Sequence, residues 1–84
     1  MSIRIRYFAS LREALGAEEA LPATPGLTLG ALRDGLIARG GAHAERLARG
    51  RAIRCALNQA MADDEALPVP DGAEVAFFPP VTGG

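Results

Sequence analysis

The sequence predicts an α+β domain in which one main helix packs across one face of a mixed sheet. Three observations lead there. Ile3-Ile5-Tyr7, Ile53-Cys55-Leu57 and Val75-Phe77 each alternate with more polar residues, the period of half-buried strands. Leu29, Leu32 and Leu36 recur at three and four residues, which draws one apolar stripe on a helix. A chain of 84 residues, 49% hydrophobic and 23% charged, can fill one core but not two, so strands and helix must share it.

The elements can be justified one by one along the chain. In the first strand Ile3, Ile5 and Tyr7 face the core, which leaves Phe8 on the polar face or at the strand end. Ser10 is positioned to cap a short helical turn from Leu11 to Leu15, and Gly16 ends it. Glu18 to Pro22 is a weak second strand, with Leu21 opposite in phase to Ala20 and Pro22; Pro22 confines it to an edge. Its closeness to the first strand predicts a hairpin. After the Pro25-Gly26 turn, Thr28 caps the main helix, which runs to about Arg39 and stops at Gly40-Gly41. Gly30 and Gly35 each cost this helix about 1 kcal/mol against alanine, unless the backbone needs close approach there. Residues 43–50 allow a second short helix, but with Leu47 as their one large apolar residue they read as a surface connection, with His43 in a loop.

Ile53, Cys55 and Leu57 mark the next strand, with Cys55 expected to act as a small buried hydrophobe. Asn58-Gln59 turns the chain into a short return strand, Ala60 to Ala62, and Asn58 is expected to satisfy backbone groups at that turn. Asp63, Asp64 and Glu65 form an acidic turn. Leu67, Val69 and two prolines make an extended connection, and Asp71-Gly72 a tight turn. Glu74 to Phe78 is the last strand. Val75 and Phe77 share one face, so Phe78 lies on the other.

Composition excludes several kinds of chemistry. Nine basic against ten acidic residues is not the balance of a nucleic-acid binder. No apolar run is long enough to span a bilayer, and the Arg-Ile alternation at the N-terminus is not a signal peptide, so a cytoplasmic location is expected. A single cysteine forbids an internal disulfide, and with a single histidine it leaves too few soft ligands for a zinc site. All nine basic residues are arginine, which reads as compositional bias and still excludes Schiff-base chemistry. No hydrolytic triad can be assembled from the few hydroxyls and the one histidine.

The unusual feature is the end, Phe77-Phe78-Pro79-Pro80-Val81-Thr82-Gly83-Gly84. Two prolines stop strand pairing and stiffen the base of the terminal segment. That segment, 79–84, reaches at most about 20 Å. Its last two residues carry no side chain, so it can enter a gap too narrow for any Cβ. An aromatic at Phe78 facing away from the core beside prolines is a candidate partner contact. The chain therefore divides into a folded domain, 1–78, and an extended tail, 79–84.

Together with Tyr7-Phe8-Ala9-Ser10-Leu11-Arg12-Glu13, Leu57-Asn58-Gln59 and Asp71-Gly72, this tail resembles the small, sulfur-carrier subunit of molybdopterin synthase, the MoaD family within a wider ubiquitin-like group. The resemblance covers the whole length. Its one departure is Ala73, where the family often has an acidic residue. It implies a ubiquitin-like β-grasp fold. It also implies that the Gly84 carboxylate is adenylated by an ATP-dependent activating enzyme and converted by a sulfur donor to a thiocarboxylate. Sulfur would then pass to cyclic pyranopterin monophosphate in the large synthase subunit, within a heterotetramer. Val81, Thr82 and Gly83 would thread into the partner. Phe78, Pro79 and Pro80 would dock it, with Phe8 and Arg12 nearby, although Arg12 reads equally as a solvated helix charge paired with Glu13 or another acid. The chain itself would bind no cofactor and no metal. Other readings remain: a carrier for thiazole synthesis, a protein modifier joined through Gly84 to a lysine, or a β-grasp binding module whose C-terminus does no chemistry.

Overall fold

Alternation at the N-terminus gives strand β1 (Ser2–Tyr7), whose Ile3, Ile5 and Tyr7 are fully buried. In the computed structural model, which describes residues 1–62 and 64–79, β1 pairs on one side with β2 (Glu18–Pro22), antiparallel. On its other side it runs parallel to β5 (Glu74–Phe78), with Ile5 opposite Val75 and Tyr7 opposite Phe77. β5 in turn pairs antiparallel with β3 (Arg54–Leu57), and β3 with β4 (Ala60–Met61). The sheet order is β2-β1-β5-β3-β4. The last strand is therefore the middle strand, hydrogen-bonded along both edges. The parallel β1–β5 pair needs a long crossover, and the intervening chain supplies it with the helices.

The main helix α2 (Leu29–Ile37) buries Leu29, Leu32 and Leu36, and Thr28 Oγ1 accepts the Ala31 N–H at 3.2 Å. It stops at Ile37 rather than near Arg39; Ala38 caps it, and Gly40 and Gly41 then take positive φ of 78° and 57°. The two helix glycines differ in cause. A Cβ at Gly30 would lie 3.1 Å from Glu65 Cβ, whereas at Gly35 it would meet nothing within 4 Å. Gly30 permits the 64–67 loop to close on the helix, where Glu65 O accepts the Gly30 N–H at 2.9 Å. The cost of Gly35 is simply tolerated.

Expectations for the two short helices also need correction. Ser10 lies inside α1 (Ser10–Leu15) and does not cap it: Ala9, at φ 53°, occupies the N-cap and no side chain bonds there. Residues 43–50 are more than a surface connection. They contribute to helix α3 (Gly41–Arg46), and Leu47 at its end is completely buried in the main core. His43 is therefore helical, and its ring meets Tyr7 edge-on at 6.1 Å between centroids. One apolar side chain on a short helix suffices to seat it when the sheet leaves a matching gap, a condition that local periodicity does not reveal.

The Asn58-Gln59 turn has φ of 50° and 70°, the two-residue hairpin geometry whose twist matches the strands. Asn58 does satisfy backbone groups: its Oδ1 accepts the Glu74 N–H at 2.9 Å, and its own N–H bonds Glu74 O at 2.8 Å. Cys55 is half-buried rather than buried, with its thiol 3.3 Å from Ala62 O. In the acidic turn Asp63 lies outside the described residues, as do Pro80, Val81, Thr82, Gly83 and Gly84.

Candidate functional site

Every route to a site converges on the pole where β5 ends. Because Tyr7 and Phe77 are paired and both point into the core, stacked at 6.3 Å, the next residues along the two strands, Phe8 and Phe78, come out side by side on the outer face. Phe8 N–H donates to Phe77 O at 3.1 Å, which extends the pairing one residue past β1. Phe8 is 37% exposed and Phe78 half-buried, so Phe78 is less open than its alternation alone implies. Arg54 stands opposite Phe78 on β3. The Arg6 guanidinium lies 5.1 Å from the Phe8 ring centroid, a cation–π contact worth about 0.5–1 kcal/mol at an exposed site.

The outer face thus changes character along its length. Arg4 and Glu74 lie toward the end away from the pole and Arg6 in the middle, and with Glu18 they form largely exposed ion pairs at 3.5–4.0 Å, each worth little. Small residues, Ala56 and Ala76, lie directly opposite each other in the middle. At the pole the surface is aromatic and proline-edged: Phe8, Phe78 and Pro79. Arg12 projects from α1 at the same pole and is exposed; among the described residues it has no ion-pair partner, Glu13 included. Four of the sequence-predicted contact residues therefore bear on this pole: Phe8, Arg12, Phe78 and Pro79. Pro80, Val81, Thr82, Gly83 and Gly84 lie outside the described residues.

Two polar networks that the sequence did not disclose tie the elements together, and the first of them holds this pole to the rest of the fold. Arg33, only 8% exposed, donates from Nε to Leu47 O at 2.8 Å and from Nη2 to Ala48 O at 2.7 Å and Arg51 O at 3.2 Å. Burial, and then the neighbouring charge of Arg49, lower its pKa, against the attraction of Glu65 3.8 Å away. A guanidinium remains charged under any such shift. Arg49 bonds Asp34, Glu65 and the Gly30 carbonyl. The available signal was Arg33 itself, an arginine between Leu32 and Leu36 on the stripe meant for the core.

The second network lies behind β1. The Tyr7 hydroxyl donates to Glu19 Oε2 at 2.9 Å, and Arg39 Nη1 bonds Glu19 Oε1 at 2.6 Å. Burial pushes the Tyr7 pKa well up, helped by the adjacent carboxylate. For Glu19, burial pulls upward, but the hydrogen bonds from Arg39 and Tyr7 outweigh it and hold the carboxyl below its usual range. His43 Nε2 sits buried 3.5 Å from the same carboxylate. These groups fix β2 and α3 to the core; none faces the pole where the tail begins. Among the described residues no group of three or more His, Cys, Asp or Glu side chains is placed to hold a metal ion, and no helix is long and apolar enough to cross a membrane.

A β-hairpin, a helix crossing one face, and a final central strand parallel to the first define a ubiquitin-like β-grasp protein, here with an aromatic, proline-edged pole at the end of the final strand. The chain belongs to the ThiS family, which it matches over residues 5–84. It is 39% identical over 82 residues to the molybdopterin synthase sulfur carrier subunit of Escherichia coli, covering 98% of this chain and 99% of that one. Among solved structures it resembles a chain in the protein–protein complex of subunits 1 and 2 of the molybdopterin-converting factor of Helicobacter pylori, with a TM-score of 0.71, 26% identity and full coverage of both chains. The small archaeal modifier protein 1 of H. volcanii is similar too, with a TM-score of 0.79, 26% identity, and 95% and 98% coverage.

Proposed function

We propose that this protein is the sulfur carrier of molybdopterin biosynthesis, with the Gly84 carboxyl as its working group. The carboxylate attacks the α-phosphate of ATP on an activating partner and pyrophosphate leaves. The acyl-adenylate then exchanges AMP for a sulfide equivalent, giving a thiocarboxylate. Adenylation is needed because a carboxylate oxygen is a poor leaving group, whereas AMP is a good one. The thiocarboxylate is the more nucleophilic end, and it passes its sulfur to cyclic pyranopterin monophosphate in the large synthase subunit, in a heterotetramer of two small and two large subunits.

In this reading the chain supplies a carboxyl, a reach and a docking face, while acids, bases and nucleotide belong to its partners. Phe8, Phe78 and Pro79 dock the large subunit, with Pro80 continuing that contact; Val81, Thr82 and Gly83 thread toward the chemistry. The observation that carries the reading is the full-length likeness to a sulfur carrier subunit, combined with a central strand that ends in an aromatic, proline-edged pole. A strand hydrogen-bonded on both edges is a firm base from which to present a tail.

The test is intact mass spectrometry of protein taken from its native cells. A species heavier by the difference between one sulfur and one oxygen, absent when Gly84 is deleted, is the expected result. Failure to form it in the presence of the activating partner, ATP and a sulfur source would sink the proposal. Lysine-linked adducts through Gly84 would instead place the chain with the archaeal modifier it resembles.

A further inference from the structure

A cleft of about 500 Å³ opens at the same pole, between α1, the end of α3 and the loop that leads into β3. Leu11, Ile53 and Pro79 give it an apolar surface, Arg46 and Arg51 give it charge, and no carboxylate lines it. Most arginines of this chain are committed. Arg4, Arg6, Arg39 and Arg49 sit against carboxylates, and Arg33 against backbone carbonyls and Glu65. Among the described residues, the Arg46 and Arg51 guanidinium groups have no hydrogen-bond or ion-pair partner.

The backbone beneath them is held firmly. Arg33 grips the carbonyl of Leu47, directly after Arg46, and the carbonyl of Arg51 itself. Two uncommitted cations thus stand on a fixed platform, which lowers the ordering cost of binding an anion. The cleft is distinct from the outer sheet patch of Phe8 and Phe78. An apolar patch suits a lasting subunit contact. Solvated cations suit a short-lived one, because complementary charge chiefly speeds encounter and sets orientation.

Resting on the function proposed above, we propose that this cleft receives an acidic segment, a carboxylate beside an apolar side chain, of the partner that activates the terminal carboxyl. The carrier must meet that partner, be released, and join the synthase. Docking through charge next to the tail's base orients the tail without creating a contact too tight to leave.

The experiment uses the full-length chain and the activating partner, and reads ATP-dependent pyrophosphate release against carrier concentration at several salt concentrations. For the R46E/R51E double variant the expected result is a KM for carrier raised about tenfold or more at low salt, an unchanged kcat, and a flattened salt dependence. R46K/R51K should behave close to wild type. Thermal melts should differ by only a few degrees, since neither side chain has a hydrogen-bond or ion-pair partner to lose and the charge reversal at Arg46 disturbs only the last turn of α3. An unaltered KM at low salt overturns the proposal while deletion of Gly84 still abolishes turnover. Equal weakening of large-subunit binding, or self-association of the wild type that the double variant loses, assigns the cleft to another occupant and also overturns it. If wild type itself releases no pyrophosphate, the functional reading falls and takes this inference with it.

Discussion

Replacing Arg33 with methionine tests how the tail's pole is built. Methionine keeps much of the length and packing of the aliphatic stem and deletes the donors together with their charge. Of the three carbonyls that Arg33 serves, the bond to Leu47 O is buried, while those to Ala48 O and Arg51 O are partly exposed. Leaving one buried acceptor unsatisfied costs about 1–3 kcal/mol. The other two can take water, so each loses about 0.5–1 kcal/mol. Against this, a guanidinium no longer has to be desolvated, and relief of that penalty offsets part of the loss. The net expectation is a destabilisation of about 2–3 kcal/mol, on the order of 10–20 °C in Tm for a domain of this size. Urea unfolding should show a lower midpoint at unchanged slope. Hydrogen exchange should report faster opening at residues 47–53 than in β1 and β5. A variant as stable as wild type, with that segment equally protected, would refute the claim that Arg33 fastens the pole; the guanidinium would then be a filler that methionine replaces at no loss.

The remaining expectations concern other parts of the molecule. Glu19 has a depressed pKa when folded, so its contribution is fully present above its unfolded value of about 4.3 and is lost as pH falls through the lower folded value. Acid titration of stability should therefore show a shallower decline in E19Q than in wild type below about pH 4.5, and parallel curves would contradict the assignment. Gln59 holds φ 70°, a conformation that costs a non-glycine residue about 1 kcal/mol, so Q59G should stabilise the domain by about 0.5–1 kcal/mol in urea titration. The double substitution F8S/F78S should leave the domain folded, because Tyr7 and Phe77 supply the buried aromatics, yet reduce large-subunit affinity by at least about tenfold in calorimetry.

Much of this was legible beforehand, for reasons visible in particular residues. Ile3, Ile5 and Tyr7 on one face of a strand, Thr28 capping a helix, and Phe78 opposite Phe77 all arise from relations within a few residues. The burial of Leu47 is not legible locally, because a six-residue helix carries too few residues to display a period. The role of Arg33 is not legible either, because a charge on an apolar stripe makes sense only once its carbonyl partners, 14 to 18 residues away, are known. Ser10 gave way to Ala9 as the helix cap because the chain, still paired with Phe77 O at Phe8, must turn sharply before it can coil.

The sequence alone determined the strands, the main helix and the outward face of Phe78, because hydrophobic burial acts on patterns of period two and 3.6 that are written locally. It also carried the resemblance, through a tail whose prolines stiffen its base and whose glycines remove the side chains from its tip. Only the tertiary structure decided that β5 lies beside β1 in parallel, which brings Phe8, 70 residues earlier, next to Phe78. Only it set Arg46 and Arg51 on backbone that Arg33 grips from another helix. Those pairings depend on shape and hydrogen-bond satisfaction between distant segments, and no stretch of the chain read by itself contains both partners.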